Sequence, residues 1–309
     1  MRSLILGGSG FVGRNLAKSL VQDGDEVACL DRVPDQTGNW DGVFFQCDAQ
    51  DPLALRGIID NFQPERVYHL AANSDIQAGI QDASLDFGDT LMTTVALREA
   101  VNKSTVKEVM FASSSAIFGI SDKPFAETSD SIPAPVSWYG KAKLASEFIL
   151  ESLAAQDPSL KILLVRFPNV VGPLATHGVI FDFINKLRNN QETLQVLGDG
   201  FQEKPYLHVH DLIDGIKHFT ETLQTGIKRI NIGPADTTTV RFIAEQVAKG
   251  LDLQPDIQYQ DSAFGWAGDV PKYSFDTTSM RLQGFSIRDT SNEAVVRAIS
   301  DLVKEYETK

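Results

Sequence analysis

Tyr139 and Lys143 stand four residues apart in "SWYGKAKLASE", residues 137–147. On a helix that spacing brings both side chains to one face. A free phenol ionises near pH ~10 and is a poor base at neutral pH. An ammonium beside it favours the phenolate and lowers that value. The pair is therefore suited to moving a proton on or off a substrate oxygen. "FASSSAIFG" (111–119) ends an apolar run with Ser113, Ser114 and Ser115, upstream of Tyr139. One of these hydroxyls could orient the same oxygen. A Tyr-x-x-x-Lys pair also occurs on ordinary surface helices, so the surrounding elements have to decide.

A second constellation lies in "LILGGSGFVGRNL" (4–16), which contains Gly8-x-Gly10-x-x-Gly13 and also Gly7-x-x-Gly10-x-x-Gly13. Such spacing is weak evidence by itself. Here it follows an apolar strand and opens an amphipathic helix, the context in which it marks dinucleotide binding. The glycines let the backbone approach a pyrophosphate, and the helix N-terminus supplies free N–H groups and a favourable dipole. Asp31 ends the next strand, where a carboxylate accepts hydrogen bonds from a ribose and repels a 2′-phosphate. NAD is therefore expected in preference to NADP. Arg32 beside it could stack on adenine or meet a phosphate. Asp48 ends the third strand and is either an adenine contact or a turn acid in "DAQDP".

The elements that must hold these residues alternate. Strand-like runs are read at 3–6, 26–30, 43–47, 66–72, 108–114 and 161–167. Helices are expected at 11–22, 51–62, about 86–103 and 138–156, with Asp51-Pro52 a good helix start. Strands alternating with helices imply right-handed crossovers and a parallel sheet covered on both faces, a doubly wound α/β architecture. Beyond Phe167 the rhythm loosens. Gly- and Pro-containing loops are read at 169–178 and 197–205, a returning helix at 209–223, a strand at 229–233 and two helices in the last ~75 residues. Residues 1–167 with about 206–232 are expected to form the dinucleotide domain. Residues of about 168–205 with 233–309 form a small discontinuous substrate domain, with a cleft between the two.

Bulk properties narrow the partners. The 309 residues carry a net charge of −13. An acidic chain disfavours nucleic acid and anionic membranes. No apolar run approaches the ~20 residues of a membrane span, and the N-terminal apolar run leads into glycines and a helix rather than a cleavage site. Cys29 and Cys47 form neither a disulfide framework nor a metal spacing, which fits a cytoplasmic setting. Asn102-Lys103-Ser104 is a chance match to a glycosylation acceptor. His208 and His210 alternate on a strand and should point to opposite faces, so no metal is expected.

These motifs together resemble the extended short-chain dehydrogenase/reductases of the sugar-nucleotide epimerase/dehydratase family. "GGSGFVG", "HLAA" (69–72), "SSSAIFG" (113–119), "YGKAK" (139–143), "RFPNVVGP" (166–173), "LGDG" (197–200), "HVHDL" (208–212), "NIG" (231–233) and "GDVPKYSFDTTSMRLQGF" (268–285) occur in the family's order over essentially the whole chain. The resemblance is closest to its UDP-glucose 4-epimerase-like branch. It implies that Tyr139 is the acid/base, with Lys143 its electrostatic partner and a ribose contact, and Ser114 the catalytic serine. Cofactor contacts are implied for Gly7, Gly10, Phe11, Val12, Gly13, Asp31, Arg32, Asp48, Ala49, Leu70, Ala71, Ala72, Thr90 and Pro168. Ser115, Asn169, Lys204 and Trp266 join Ser114 and Tyr139 as implied substrate contacts.

Dehydratases of the family pair an Asp and a Glu just after the catalytic hydroxyl, where this chain has Ser115 and Ala116. Elimination is therefore disfavoured. An NAD-dependent epimerase working through a keto sugar is expected, with a reductase/dehydrogenase as the alternative and a non-catalytic dinucleotide binder third. Lys204 and Trp266 stand where two diphosphate-binding arginines are usual, and Phe118 where a tyrosine is usual. A lysine lacks the arginine fork, and a tryptophan could only stack. A homodimer through helices 86–103 and 138–155 is also implied.

Overall fold

The computed structural model describes residues 1–34, 42–121, 123–127, 133–265 and 270–307. Seven strands form one sheet: β1 (Arg2–Leu6), β2 (Glu26–Asp31), β3 (Val43–Gln46), β4 (Arg66–His69), β5 (Glu108–Ala112), β6 (Lys161–Arg166) and β7 (Gly226–Asn231). Their order is β7-β6-β5-β4-β1-β2-β3. The pairings of β1 with β2 and β4, of β2 with β3, of β4 with β5 and of β5 with β6 are parallel. The interior strands are apolar on both faces, with Leu4, Ile5, Val67, Met110, Leu163 and Leu164 fully buried. That is what a sheet covered by helices on both sides requires. The winding direction reverses between β1 and β4. Ligands of doubly wound sheets bind beyond the carboxyl ends of the strands at such a point.

The chain forms two compact units. The first comprises Met1–Gly119, Pro133–Arg166 and Ile216–Ile230, and the second Ile120–Ile132, Phe167–Gly215 and Asn231–Lys309. In the second, helices Val179–Asn189, Val240–Gly250 and Ser291–Glu307 pack around Ile184, Leu187, Val247, Val295 and Ile299. Its short strands pair as Asn169–Val171 with Tyr206–His208, Thr193–Val196 with Asp256–Tyr259, and Glu203–Lys204 with Thr238–Thr239. The helix Val179–Asn189 and several of these strands fall in or next to segments that the sequence presents as loops.

Helix signals at the two decisive places are local and sufficient. Phe11–Gln22 begins immediately after Gly10, and Trp138–Gln156 begins after Ser137, whose side chain accepts the Gly140 N–H at 3.1 Å. That N-cap satisfies one of the orphan donors of the first turn. The helix expected over 86–103 is instead interrupted. Ala83–Asp86 is α-helical, Phe87–Met92 is a π turn, and Thr93–Val101 resumes the α-helix. Thr90 lies inside the π turn, and its hydroxyl accepts the backbone N–H of Asn73 at 3.1 Å. A wide turn of this kind inside a helix is frequent at functional sites.

Candidate active site

The glycine loop leaves β1 and folds under the start of the Phe11–Gln22 helix. Gly7 has φ +82°, and a Cβ there would lie 2.8 Å from the Ala71 nitrogen. A Cβ at Gly13 would lie 2.2 Å from the Gly7 carbonyl oxygen. Both positions therefore exclude any side chain. Gly10 caps the helix without a side-chain hydrogen bond, so the first-turn N–H groups receive no cap from that residue. The Ser9 hydroxyl is buried without a hydrogen-bond partner among the described residues. Asp31 holds the loop from β2, accepting from Ser9 N at 3.0 Å and Val33 N at 3.2 Å. An uncapped helix N-terminus, a backbone that can be closely approached and a carboxylate at the next strand end fit a dinucleotide.

Arg32 is committed elsewhere, donating to Asp89 at 2.8 Å. That bond and the nearby carboxylates raise its pKa above the ordinary value. Asp89 also accepts from Gln50 at 3.1 Å. An arginine held in this way is not poised for a 2′-phosphate. Asp48 accepts the N–H of Gln50 in its own turn, at 2.9 Å, and Ala49 is buried behind it. Replacing Asp31 by Ala should weaken NAD binding by about 10–100-fold, the worth of hydrogen bonds to a charged group, and NADP binding far less. Calorimetry with both cofactors measures this. Unchanged discrimination would show that the ribose carboxylate lies elsewhere.

Leu70, Ala71 and Ala72, read as the end of a strand, follow β4 as a loop against the glycine turn, with Leu70 N bonded to Leu6 O at 2.9 Å. Thr90, expected at the cofactor, is fully buried and clamps Asn73 as described.

The reacting groups sit at the end of β5. Ser114 is extended and caps a single 3-10 turn, Ser115–Ile117, accepting the Ala116 N–H at 3.1 Å. Its hydroxyl is hydrogen-bonded to Tyr139. Lys143 is 2% exposed and donates to the Ala112 carbonyl at 2.6 Å. Its ammonium lies 4.8 Å from the centre of the Phe111 ring and 5.7 Å from that of Tyr139. Serine, tyrosine and lysine thus converge. Ser113 points the other way, donating to the buried Glu147. Ser115 is half-buried in the turn.

The electrostatics differ from the expectation. The sequence predicts that Lys143 pulls the Tyr139 phenol below its ordinary value. In the structure burial dominates and pushes Tyr139 up to about 12. The Ser114 hydrogen bond works against this rise and the Asp86 charge adds to it. Burial also pulls Lys143 down to about 7, against the opposing charges of Glu147 and Asp86. At neutral pH the phenol is protonated and the lysine is shared between its two forms. A cation beside the phenol would favour the phenolate and move Tyr139 back down.

Three side chains around this pair were not singled out in the sequence. Glu147 lies one turn beyond Lys143 and is 1% exposed. It is gripped by Arg166, Nε to Oε1 at 2.9 Å and Nη2 to Oε2 at 2.6 Å. Its signal was available: an arginine inside the apolar run "KILLVR" needs a buried acid. His69, pulled down to about 3 by burial and the Lys143 charge, is neutral and bonds Thr94 at 2.9 Å. Thr94 bonds Ser146 at 3.1 Å, tying the two long helices together. Asp86 is 1% exposed and carried no sequence signal.

In the second unit, Pro168 is buried and Asn169 exposed at the start of a short strand. Lys204 is half-buried in the strand paired with Thr238–Thr239. Trp266 lies outside the described residues. Phe118 is buried, with the Arg166 guanidinium 5.2 Å from its ring centre. His208 and His210 do not point apart as strand parity predicts. Their rings meet at 4.8 Å, because the strand ends at His208 and a helix starts at Val209. Burial lowers the pKa of both, with the Arg297 charge adding to it. Among the described residues no His/Cys/Asp/Glu group is placed to hold a metal ion. Nor is any helix among them long and apolar enough to cross a membrane.

The chain is similar to known proteins along most of its length. Residues 3–233 match the model of the NAD dependent epimerase/dehydratase family. The chain is 27% identical to a UDP-glucose 4-epimerase of Mycolicibacterium smegmatis, over 91% of each chain. A crystal structure of a UDP-galactose 4-epimerase superposes with a TM-score of 0.83, at 31% identity and 99% coverage of both chains. The UDP-glucose 4-epimerase of Thermotoga maritima, solved with UDP-glucose, superposes with a TM-score of 0.89, at 26% identity, covering 99% of this chain and 100% of that one.

Proposed function

The chain belongs to the NAD dependent epimerase/dehydratase family, and on that premise we propose that it inverts one carbon of a nucleotide-activated sugar, as a 4-epimerase acting on a UDP-sugar or a close analogue. It is an NAD-dependent enzyme, and its relatives named as UDP-glucose 4-epimerases match along most of its length. The observation that carries the reading is the hydrogen bond from Ser114 to Tyr139 with buried Lys143 one turn on, beside the switch point of the sheet.

Bound NAD would be held by the glycine loop, Phe11, Val12, Asp31 and Leu70–Ala72, and supplies a reversible hydride acceptor. Tyr139 is protonated at rest and acts in its ionised form, taking the proton of the sugar hydroxyl while its carbon becomes a ketone. Ser114 donates to the same oxygen and fixes its place. Lys143 would hold the cofactor ribose and, when charged, favours the phenolate. Tyr139 then returns the proton to the keto oxygen once the sugar presents its other face. Dehydration is disfavoured, since the 3-10 turn after Ser114 carries no acid. The first compact unit acts as the dinucleotide domain. Asn169 and Lys204 are the substrate contacts proposed for the second unit, with Lys204 a monodentate substitute for the arginine fork on a diphosphate.

A homodimer fits the surface. Leu85, Phe87, Met92, Trp138 and Phe148 expose large apolar side chains on the helices at 83–101 and 138–156. Cys29 and Cys47, which form no disulfide with each other, suit a reducing cytoplasm. The deciding experiment is an NMR panel of UDP-, dTDP-, GDP- and CDP-sugars, with and without added NAD. Inversion without net cofactor reduction is expected. Stoichiometric NADH formation would make the protein a dehydrogenase, and no turnover with NAD bound would make it a non-catalytic binder.

A further inference from the structure

Two buried carboxylates flank the Tyr139–Lys143 pair, and their surroundings differ. Glu147 is neutralised in place by the two-pronged Arg166 contact and by Ser113. Asp86, 1% exposed, receives one hydrogen bond on Oδ1, from Nδ2 of Asn73 at 2.9 Å. Its Oδ2 is buried with no hydrogen-bond partner among the described residues. The niche is shaped for it: a Cβ on Gly79 would lie 2.1 Å from that oxygen. A carboxylate with no ion pair among the described residues acts on charges further away, and in a poorly solvated interior that action is weakly screened.

The charged groups around it leave the pair as its object. Burial raises the Asp86 pKa and the charge of Asp89, which lies on the π turn and is itself paired with Arg32, adds to the rise, while the Asn73 hydrogen bond and the Lys143 charge work against it. Asp75 and Asp82, at the ends of the Ile76–Gln81 helix, accept backbone N–H groups of their own turns. That helix, packed over Asp86, contains no ionisable side chain. His69, on β4, is neutral. Tyr139 and Lys143 remain, on the Trp138–Gln156 helix, which packs against the Ala83–Asp86 turn and the π turn after it and meets Thr94 through Ser146, and both feel the Asp86 charge.

We infer that Asp86 is the electrostatic counterweight of the acid/base pair: its buried carboxylate, held on one oxygen by Asn73 and ion-paired with no side chain among the described residues, acts on the protons of Lys143 and Tyr139. It is a positioning residue that acts through its field and, through Asn73, on the loop after β4. The sign follows directly. Removing the negative charge lowers the proton affinity of both neighbours. With Asp86 present the resting phenol stays protonated, and Lys143 retains the charge that a ribose contact needs. The functional meaning rests on the epimerase reading; the electrostatic claim does not.

The test uses lysine labelled with ¹³C at Cε in the whole chain without added ligand. In the wild type one lysine should titrate near neutrality and vanish in Lys143→Met. In Asp86→Asn, which preserves shape and the Oδ1 contact, that titration should move down by about 0.5–1 pH unit. In the NAD-loaded protein, difference absorbance against Tyr139→Phe should show the phenol ionising at lower pH in the same variant. An unmoved Lys143 titration overturns the inference, whatever the activity. Should Asp86→Asn not fold, ¹³Cγ-aspartate spectra of the wild type decide instead. Coupled groups share their inflections, so an Asp86 signal with no step at the Lys143 midpoint overturns the inference equally. Failure of the sugar panel leaves all these readouts intact.

Discussion

Tyr139→Phe should lower turnover by about 10²–10⁴-fold, the range for loss of a positioned acid/base, while NAD affinity stays within about threefold of wild type. The substitution removes one oxygen and keeps the ring over Lys143. The lysine retains its bond to the Ala112 carbonyl and its place against Phe111. The Ser114 hydroxyl loses its partner but keeps the Ala116 N–H as donor to it. Thermal stability should therefore change little, and the effect should fall on kcat rather than on folding or cofactor binding. Steady-state kinetics with cofactor titration separates these quantities. Wild-type turnover in this variant would remove Tyr139 from the chemistry and, with it, the reading of Ser114 and Lys143.

Glu147→Gln should destabilise the fold by about 3–5 kcal/mol, because it strands the Arg166 charge in the interior. Arg166 is 5% exposed and Glu147 1% exposed, so water cannot replace the lost carboxylate. The exposed pair Arg56–Asp60 has similar geometry, Nε to Oδ2 at 2.9 Å, on the surface of the Pro52–Phe62 helix. Asp60→Asn there should cost only about 0.5 kcal/mol. Urea denaturation of both variants gives the comparison. Equal losses would mean that burial does not set the value of the Glu147 pair.

The sheet and its site were readable where information is local. β1, the glycine loop and Phe11–Gln22 are consecutive, and a four-residue spacing on one helix is a local fact. So the strand end at Asp31 and the helix beginning at Trp138 fall where the residues place them, while β5 stops at Ala112, two residues short of the run read to 114, because Ser114 already caps the next turn. What depends on distant packing was not readable. The proton affinity of Tyr139 is set by burial, and no spacing reports burial. Asp86 meets Asn73 and Gly79 only in the folded chain. The π turn has an ordinary helical composition, and its widening goes with the Thr90–Asn73 bond across a loop. The parity rule failed at His208 and His210 because the element changes between them. In the second unit the strands run for two to four residues, too few for alternation to register.

The π turn also fixes a rotational phase. In a regular α-helix, every fourth residue overshoots a full turn by about 40°, so a stripe at that spacing winds around the axis. A wider turn falls short instead. Placed between Asp86 and Thr93, it winds the stripe back. Asp86, Thr90 and Thr94 are all buried, and Thr94 meets Ser146 across the interface. The helix thus trades one irregular turn for a straight polar seam against Trp138–Gln156. Substitutions along that seam would alter single contacts, whereas losing one residue from the turn would rotate everything before it out of alignment.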